Sequence, residues 1–93
     1  MTDYKIKQYS YDQAEKLGVT IKPSHLPSKK IDVYKNNKLI ASIGDSMYKD
    51  FPTFLIEKGE KYANLRRKAY KKRHAKDLKK IDSNGFYANL LLW

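Results

Sequence analysis

Two short runs of alternating apolar and polar residues, joined by an asparagine pair, constrain the fold of this chain more than any other feature. In the stretch KIDVYKNNKLIASIG, Ile31 and Val33 alternate with polar residues before Asn36-Asn37, and the alternation resumes after the pair. Asparagine tolerates the positive φ angles that a two-residue hairpin turn requires. The pattern therefore predicts a β-hairpin with strands over residues 30–35 and 38–43.

A helix is predicted before the hairpin. Ser10 is a favourable N-cap residue, and Gln13 follows it three positions later, which is a capping-box arrangement. Gly18 is typical of the residue that ends a helix. We therefore predict a short helix over residues 11–17.

The segments on either side of this helix carry weaker signals. Residues 4–7 suit either a short strand or a loose arm, and residues 22–28 contain two prolines and two serines, which is typical of an ordered loop or linker. The sequence thus predicts an N-terminal arm over residues 1–29, with a short helix and a proline-rich linker, and a main domain over residues 30–93.

Helix signals return after the hairpin. Asp50 is a suitable N-cap for a short helix with Pro52 in its first turn and a break at Gly59. Residues 60–79 are strong helix formers, acidic at the start and basic at the end, and predict one long helix. The expected class is α+β: one β-hairpin, which becomes a three-stranded sheet if the N-terminal arm joins it, packed against a long basic helix and one or two short helices.

Positive charge is concentrated in the second half of the chain. The net charge is +10; residues 1–56 hold 9 basic and 6 acidic side chains, whereas residues 57–93 hold 11 and 4. Such a field attracts nucleic acid, anionic lipid or acidic protein surfaces without distinguishing among them. The eight tyrosines suit either a small core or protein interface, or the stacking of single-stranded bases.

On a helical wheel of residues 60–79 the lysines separate from two of the arginines. The lysine side is either a solvated face or a contact surface for a polyanion. The candidate polyanion contacts are Lys61, Arg67, Lys68, Lys72, Lys76 and Lys79.

A second group of side chains is expected to form a packed polar-aromatic cluster. Arg66 and Arg73 share a side of the wheel with Tyr70, and guanidinium groups stack on aromatic rings and pair with carboxylates. Arg73 and Asp77, four positions apart, are expected to form an ion pair; phosphate or partner binding by the arginines is the alternative. The predicted cluster comprises Arg66, Tyr70, Arg73, His74, Asp77, Phe86 and Trp93.

Residues typical of catalytic and metal sites are sparse. His25 and His74 show no metal-ligand spacing, and the chain has no cysteine. Neither a glycine-rich phosphate loop nor a nucleophile elbow is present. We therefore expect no enzyme activity, no metal and no cofactor. The longest apolar run is far shorter than the roughly 20 residues of a spanning helix, so no membrane segment is expected.

The motifs of the second half resemble those of a known group of proteins. In order they are Gly44, Tyr48-x-Asp50-Phe51-Pro52, Arg66-Arg67-x-x-Tyr70-x-x-Arg73-His74-x-x-Asp77, Gly85-Phe86-Tyr87 and Leu91-Leu92-Trp93. Over residues 30–93 this pattern resembles a family of small, basic, uncharacterised proteins of large double-stranded DNA viruses of eukaryotes and of some tailed bacteriophages.

The resemblance implies a viral protein that is a component of the virion. The expected function is that of a minor or auxiliary capsid protein, made in the host cytoplasm, which binds the major shell protein or another virion protein within an oligomeric assembly. The alternative is a sequence-nonspecific DNA- or RNA-binding protein that uses the basic helix. The end of the chain is expected to act as an apolar clasp, in which Phe86, Leu91 and Trp93 fold back against Tyr62, Leu65 and the hairpin.

Overall fold

The computed structural model describes residues 1–93, apart from the side chain of Asp77. It has an α+β fold with a three-stranded antiparallel sheet of order β1-β2-β3 and four α-helices, so the predicted class is confirmed. The elements in chain order are α1 (Gln8–Leu17), β1 (Thr20–Pro23), β2 (Lys29–Lys35), β3 (Lys38–Asp45), α2 (Phe51–Lys58), α3 (Glu60–Arg73), a 3₁₀ helix (Asp77–Lys79) and α4 (Asn84–Leu92).

The hairpin forms as the alternation of residues predicts. Strands β2 and β3 pair antiparallel, with Ile31 opposite Ile43 and Val33 opposite Ala41. The turn residues Asn36 and Asn37 have φ angles of 53° and 65°, which are the positive values of a type I′ turn. The predicted hairpin is therefore confirmed, and its strands extend slightly beyond the predicted ends.

The third strand comes from a segment that the sequence does not mark as a strand. Thr20–Pro23 pairs antiparallel with β2 and places Ile21 opposite Val33, whereas residues 4–7 form neither strand nor helix. The loop predicted over residues 22–28 is therefore wrong at its first two residues, Lys22 and Pro23, which belong to β1. Proline is tolerated here because β1 is an edge strand and Pro23 is its last residue.

Helix α1 begins at Gln8 rather than at residue 11, so the predicted capping box is wrong. Ser10 lies inside the helix, completely buried, and its hydroxyl donates a hydrogen bond of 2.6 Å to the carbonyl of Leu91. A tertiary hydrogen bond thus uses the side chain that would otherwise cap the helix. The end of the helix is as predicted, with Gly18 in the left-handed conformation at a φ of 72°.

The short helix after the hairpin is confirmed in detail. The Asp50 side chain accepts a hydrogen bond of 3.0 Å from the backbone N–H of Thr53, which is the expected N-cap interaction. Pro52 lies in the first turn, where its missing N–H costs nothing, and the helix ends at Gly59.

The long basic helix is shorter than predicted, because α3 ends at Arg73 and its backbone N–H ladder closes with His74 bonding to Tyr70. The chain then turns and forms a 3₁₀ helix that contacts α4. Residues 74–79 are therefore not part of the helix. Packing of this segment against α4 overrides the helix propensity of its residues.

The apolar side chains form two clusters that meet at Trp93. The larger cluster lies between the sheet, α1 and α4, and the smaller one lies between α2 and α3. The buried members of the larger cluster are Ala14, Ile21, Ile31, Val33, Ala41, Ile43, Tyr87, Leu91 and Leu92, and those of the smaller are Phe51, Phe54 and Ala63. Residues 1–29, which were predicted to form a separate arm, thus contribute to the same core as residues 30–93.

The end of the chain packs against the hairpin, as expected, but its other contacts differ from those predicted. Leu91 and Leu92 are buried against the sheet, and the ring of Trp93 contacts Phe54 and Tyr70. Leu65 keeps 62% of its surface exposed, so the end of the chain does not cover it.

We expect Gly44→Ala to destabilise the protein by about 2 kcal/mol, because the substitution combines backbone strain with a steric clash. Gly44 has a φ of +79°, and a Cβ at this position would lie 2.7 Å from Cδ1 of the buried Leu92 and 3.0 Å from Cδ of Lys30. Urea denaturation measures the loss. Gly18→Ala is the matched control, since Gly18 has a similar φ of +72° and no atom within 4 Å of the added Cβ. Equal losses in the two variants would contradict the close packing at Leu92.

Candidate polyanion-binding site

A cleft of about 670 Å³ opens where the end of the hairpin meets α3 and α4. The pairing of Lys29 with Asp45 marks this end of the hairpin, which is opposite to the Asn36-Asn37 turn. The buried side chains of Ile43 and Leu92 line the cleft and form an apolar floor. The fold thus creates a concave surface between three elements.

The described lining of the cleft is strongly basic. In the part of the lining that the structure describes, one residue, Asp45, is acidic and five residues are cationic. The five are Lys29, Lys30, Lys49, Arg66 and Arg73. Two of the five cations have ion-pair partners outside the lining: Lys30 binds Asp50 at 2.8 Å, and Lys49 binds Glu57 at 2.5 Å.

The two arginines of the cleft differ from Lys30 and Lys49 in their ion pairing. Neither Arg66 nor Arg73 forms an ion pair with any carboxylate that the structure describes. The predicted ion pair between Arg73 and Asp77 lies outside the described residues. The Arg66 guanidinium lies 5.3 Å from the centre of the Phe54 ring, and both arginines are exposed to solvent. The cleft therefore presents two guanidinium groups to any anion that enters it.

Aromatic rings line the cleft beside these cations. The Tyr70 ring stacks on His74 at 4.3 Å and on Trp93 at 4.3 Å, with interplanar angles of 28° and 6°. Trp93 also packs against Phe54, with ring centres 6.3 Å apart. Tyr48, at the rim, has 71% of its surface exposed. Cationic and aromatic groups are thus interleaved on one concave surface.

The structure brings together part of the predicted polar-aromatic cluster. Tyr70, His74 and Trp93 form the stack, and Arg66 and Arg73 line the same cleft. Phe86 belongs to a different environment, because it packs against the larger core and its ring contacts Tyr87. The side chain of Asp77 lies outside the described residues.

None of the predicted polyanion contacts lines the cleft. The five lysines of this set, Lys61, Lys68, Lys72, Lys76 and Lys79, are exposed elsewhere on the surface. The Arg67 guanidinium lies 3.5 Å from the centre of the Phe51 ring, and its Nε is buried without a hydrogen-bond partner among the described atoms. Arg67 therefore packs α3 against α2. The sequence gives no sign that Lys29 and Lys49 lie at the cleft, because only the hairpin register and the course of the following loop place them there.

A buried polar network supports one wall of the cleft. Asp50 Oδ2 accepts hydrogen bonds from Lys30 Nζ at 2.8 Å and from the Tyr4 hydroxyl at 2.7 Å. Burial opposes ionisation of Asp50, but the Lys30 charge and the hydrogen bonds outweigh it and hold the pKa of Asp50 below its ordinary value. Burial, together with the Asp50 charge, raises the pKa of Tyr4. Lys30 is thus held in a fixed position at the cleft.

A second buried carboxylate fixes the loop before β2. Asp32 accepts hydrogen bonds from the hydroxyls of Ser24 and Ser42 and from the backbone N–H of His25, whose Nδ1 lies 2.6 Å from Asp32 Oδ2. Burial raises the pKa of Asp32, but these hydrogen bonds outweigh burial and hold it well below its ordinary value. These contacts stabilise the loop before β2.

The described residues contain neither a metal-binding cluster nor a membrane-spanning helix. No group of three or more His, Cys, Asp or Glu residues lies close enough to hold a metal ion. Within the same part of the chain, none of the helices combines the length and the apolar composition needed to cross a membrane.

Comparison with protein-family models, with curated proteins and with solved structures finds no match to this chain. The resemblance to viral proteins, and the virion location and capsid partner that it implies, therefore stay predictions from the residues.

Proposed function

We propose that the protein is a non-catalytic nucleic-acid-binding protein that uses the basic cleft and binds without sequence specificity. The observation that carries the proposal is the pair of exposed guanidinium groups, Arg66 and Arg73, in a cleft that is also lined by aromatic rings. A guanidinium group matches the geometry of a phosphate and forms two parallel hydrogen bonds to it.

The charges of the cleft favour a polyanion over a neutral or cationic ligand. Lys29 adds a third cation that has no ion-pair partner among the described carboxylates. The net charge of +10 raises the local concentration of a polyanion around the whole molecule. Contacts to phosphates fix a nucleic acid in place but carry no sequence information, so binding through these cations is nonspecific.

We expect the double variant Arg66→Ala/Arg73→Ala to bind DNA more weakly than the wild type and with a flatter salt dependence. Each phosphate contact that is lost reduces the slope of log K against log salt by about 0.7–0.9. Fluorescence anisotropy with a labelled oligonucleotide of mixed sequence, over about 50–200 mM salt, measures both quantities.

The matched control is Lys35→Ala/Lys38→Ala, which also removes two positive charges but at the opposite end of the hairpin. Because neither lysine lines the cleft, this variant should retain the salt slope of the wild type. If both double variants lose affinity and slope equally, binding depends on net charge and not on the cleft. If the wild type does not bind DNA or RNA at low salt, the proposal is wrong.

The virion location implied by the resemblance is a separate proposal. A basic protein of the virion that contacts packaged DNA agrees both with the resemblance and with the positive charge of the cleft. The presence of the protein in purified particles, measured by mass spectrometry, supports the virion role, and its absence from them contradicts that role without affecting the cleft.

A further inference from the structure

We infer that the cleft selects single-stranded nucleic acid over duplex, with a base stacked on the ring of Tyr48 and backbone phosphates bound by Arg66 and Arg73. The inference rests on the proposed function and names the class of nucleic acid that the same site binds. Three observations support it: the exposure of the Tyr48 ring, the shape of the cleft and the placement of its charges.

Tyr48 is the ring of the cleft that is available for stacking. It is 71% exposed and makes no ring contact with another described aromatic residue, whereas Tyr70 already stacks on two rings. Its position at the rim is held by a turn, in which its backbone N–H bonds to the Asp45 carbonyl at 3.1 Å and the Met47 N–H bonds to the Asp45 side chain at 2.8 Å. An exposed ring on a held loop is the platform on which unpaired bases stack in single-strand binding proteins.

The shape and chemistry of the cleft suit a base better than a double helix. Its volume of about 670 Å³ lies within the roughly 300–1,000 Å³ of sites that enclose a small molecule. Its floor is apolar, formed by Ile43 and Leu92, and an apolar concave floor contributes nothing to contact with the charged outer surface of a duplex. In a duplex the faces of the bases are covered by their neighbours, so they cannot reach Tyr48 without being unstacked.

The cations are placed to hold the strand whose base enters the cleft. Arg66 and Arg73 are two turns apart on α3, which forms one wall, and Lys29 lies on the opposite side, in the hairpin. Cations on both sides of an apolar floor follow a single backbone along the cleft while its bases face inward. The lysines on the outside of α3, such as Lys61 and Lys68, are open to any polyanion and do not distinguish the two forms.

The experiment compares one labelled oligonucleotide of mixed sequence, single-stranded or annealed to its complement, by fluorescence anisotropy at fixed salt. We expect the single strand to bind about tenfold more tightly than the duplex. Tyr48→Ala should weaken single-strand binding by about tenfold and so remove the preference for the single strand over the duplex, because stacking on an aromatic side chain is lost. Tyr48→Phe should retain the affinity for the single strand, since stacking needs the ring and not the hydroxyl.

The one tryptophan of the chain provides a second measurement, because Trp93 lines the cleft. Addition of the single strand should change its fluorescence, and addition of the duplex should change it much less. Equal affinity for both forms, with no effect of Tyr48→Ala, overturns the inference and leaves the proposed function intact. Absence of binding to either form overturns the proposed function as well.

Discussion

Replacement of Asp50 by alanine is expected to lower the free energy of unfolding by about 3–5 kcal/mol. The Asp50 carboxylate is almost completely buried and binds three donors: Lys30 Nζ, the Tyr4 hydroxyl and the backbone N–H of Thr53. Its removal leaves the Lys30 ammonium, itself almost completely buried, without an opposite charge, and also removes the N-cap of α2. Urea denaturation followed by circular dichroism measures the loss.

Glu57→Ala is the matched control, because it removes a carboxylate whose ion pair with Lys49 is exposed to solvent. An exposed pair contributes about 0–1 kcal/mol, so this variant should be close to the wild type. The double variant Lys30→Met/Asp50→Ala should be more stable than Asp50→Ala alone, since it removes the buried charge that has lost its partner. A loss in Asp50→Ala no larger than that in Glu57→Ala would show that the buried pair does not stabilise the fold.

The same carboxylate predicts a direction for the pH dependence of stability. The pKa of Asp50 is lower in the folded protein than its ordinary value of 3.8, and that of Asp32 is also lowered. Groups of this kind stabilise the fold fully above the ordinary pKa, and their contribution is lost as the pH falls through and below it. The wild type should therefore lose stability below about pH 4, and Asp50→Ala should lose less over the same range because one of the two groups is absent.

The parts of the fold that the sequence predicts are those decided by neighbouring residues. The asparagine turn fixes the hairpin because the positive φ angles of Asn36 and Asn37 are a local property. The N-cap at Asp50 and the helix ends at Gly18 and Gly59 are local for the same reason. Each of these signals acts over two to four residues, and the structure contains all of them.

The features that the sequence does not predict depend on contacts between distant residues. Ser10 is a favourable cap in isolation, but its hydroxyl bonds to the carbonyl of Leu91 at the other end of the chain. Strand β1 ends in a proline and forms because the edge of β2 is available to it. The cleft has the same origin, since Lys29 and Arg73 are brought to it by separate elements. The spacing of charges along the chain predicts exposed lysines such as Lys61 and Lys68 on α3. It does not predict which cations line the cleft, because the tertiary structure brings those together.

Replacement of Leu91 by alanine is expected to destabilise the protein by about 3–5 kcal/mol. Leu91 is 0% exposed and lies in the larger core with Ala14, Ile31 and Tyr87. A cavity left at this position would lie among residues of the sheet and two helices, where close packing limits relaxation. A chain of this length has a total stability of roughly 5–14 kcal/mol, so the loss is a large fraction of it.

Leu65→Ala is the control of the same residue type, because Leu65 is 62% exposed on α3. Surface substitutions of this kind change stability by about 0.5 kcal/mol or less, so the two variants should differ several-fold in urea denaturation. The comparison also decides what the end of the chain contributes. A large loss in Leu91→Ala alone means that α4 completes the core, and with it the floor of the cleft next to Leu92. Equal small losses would mean that Leu91 contributes little to the stability of the core in spite of its complete burial.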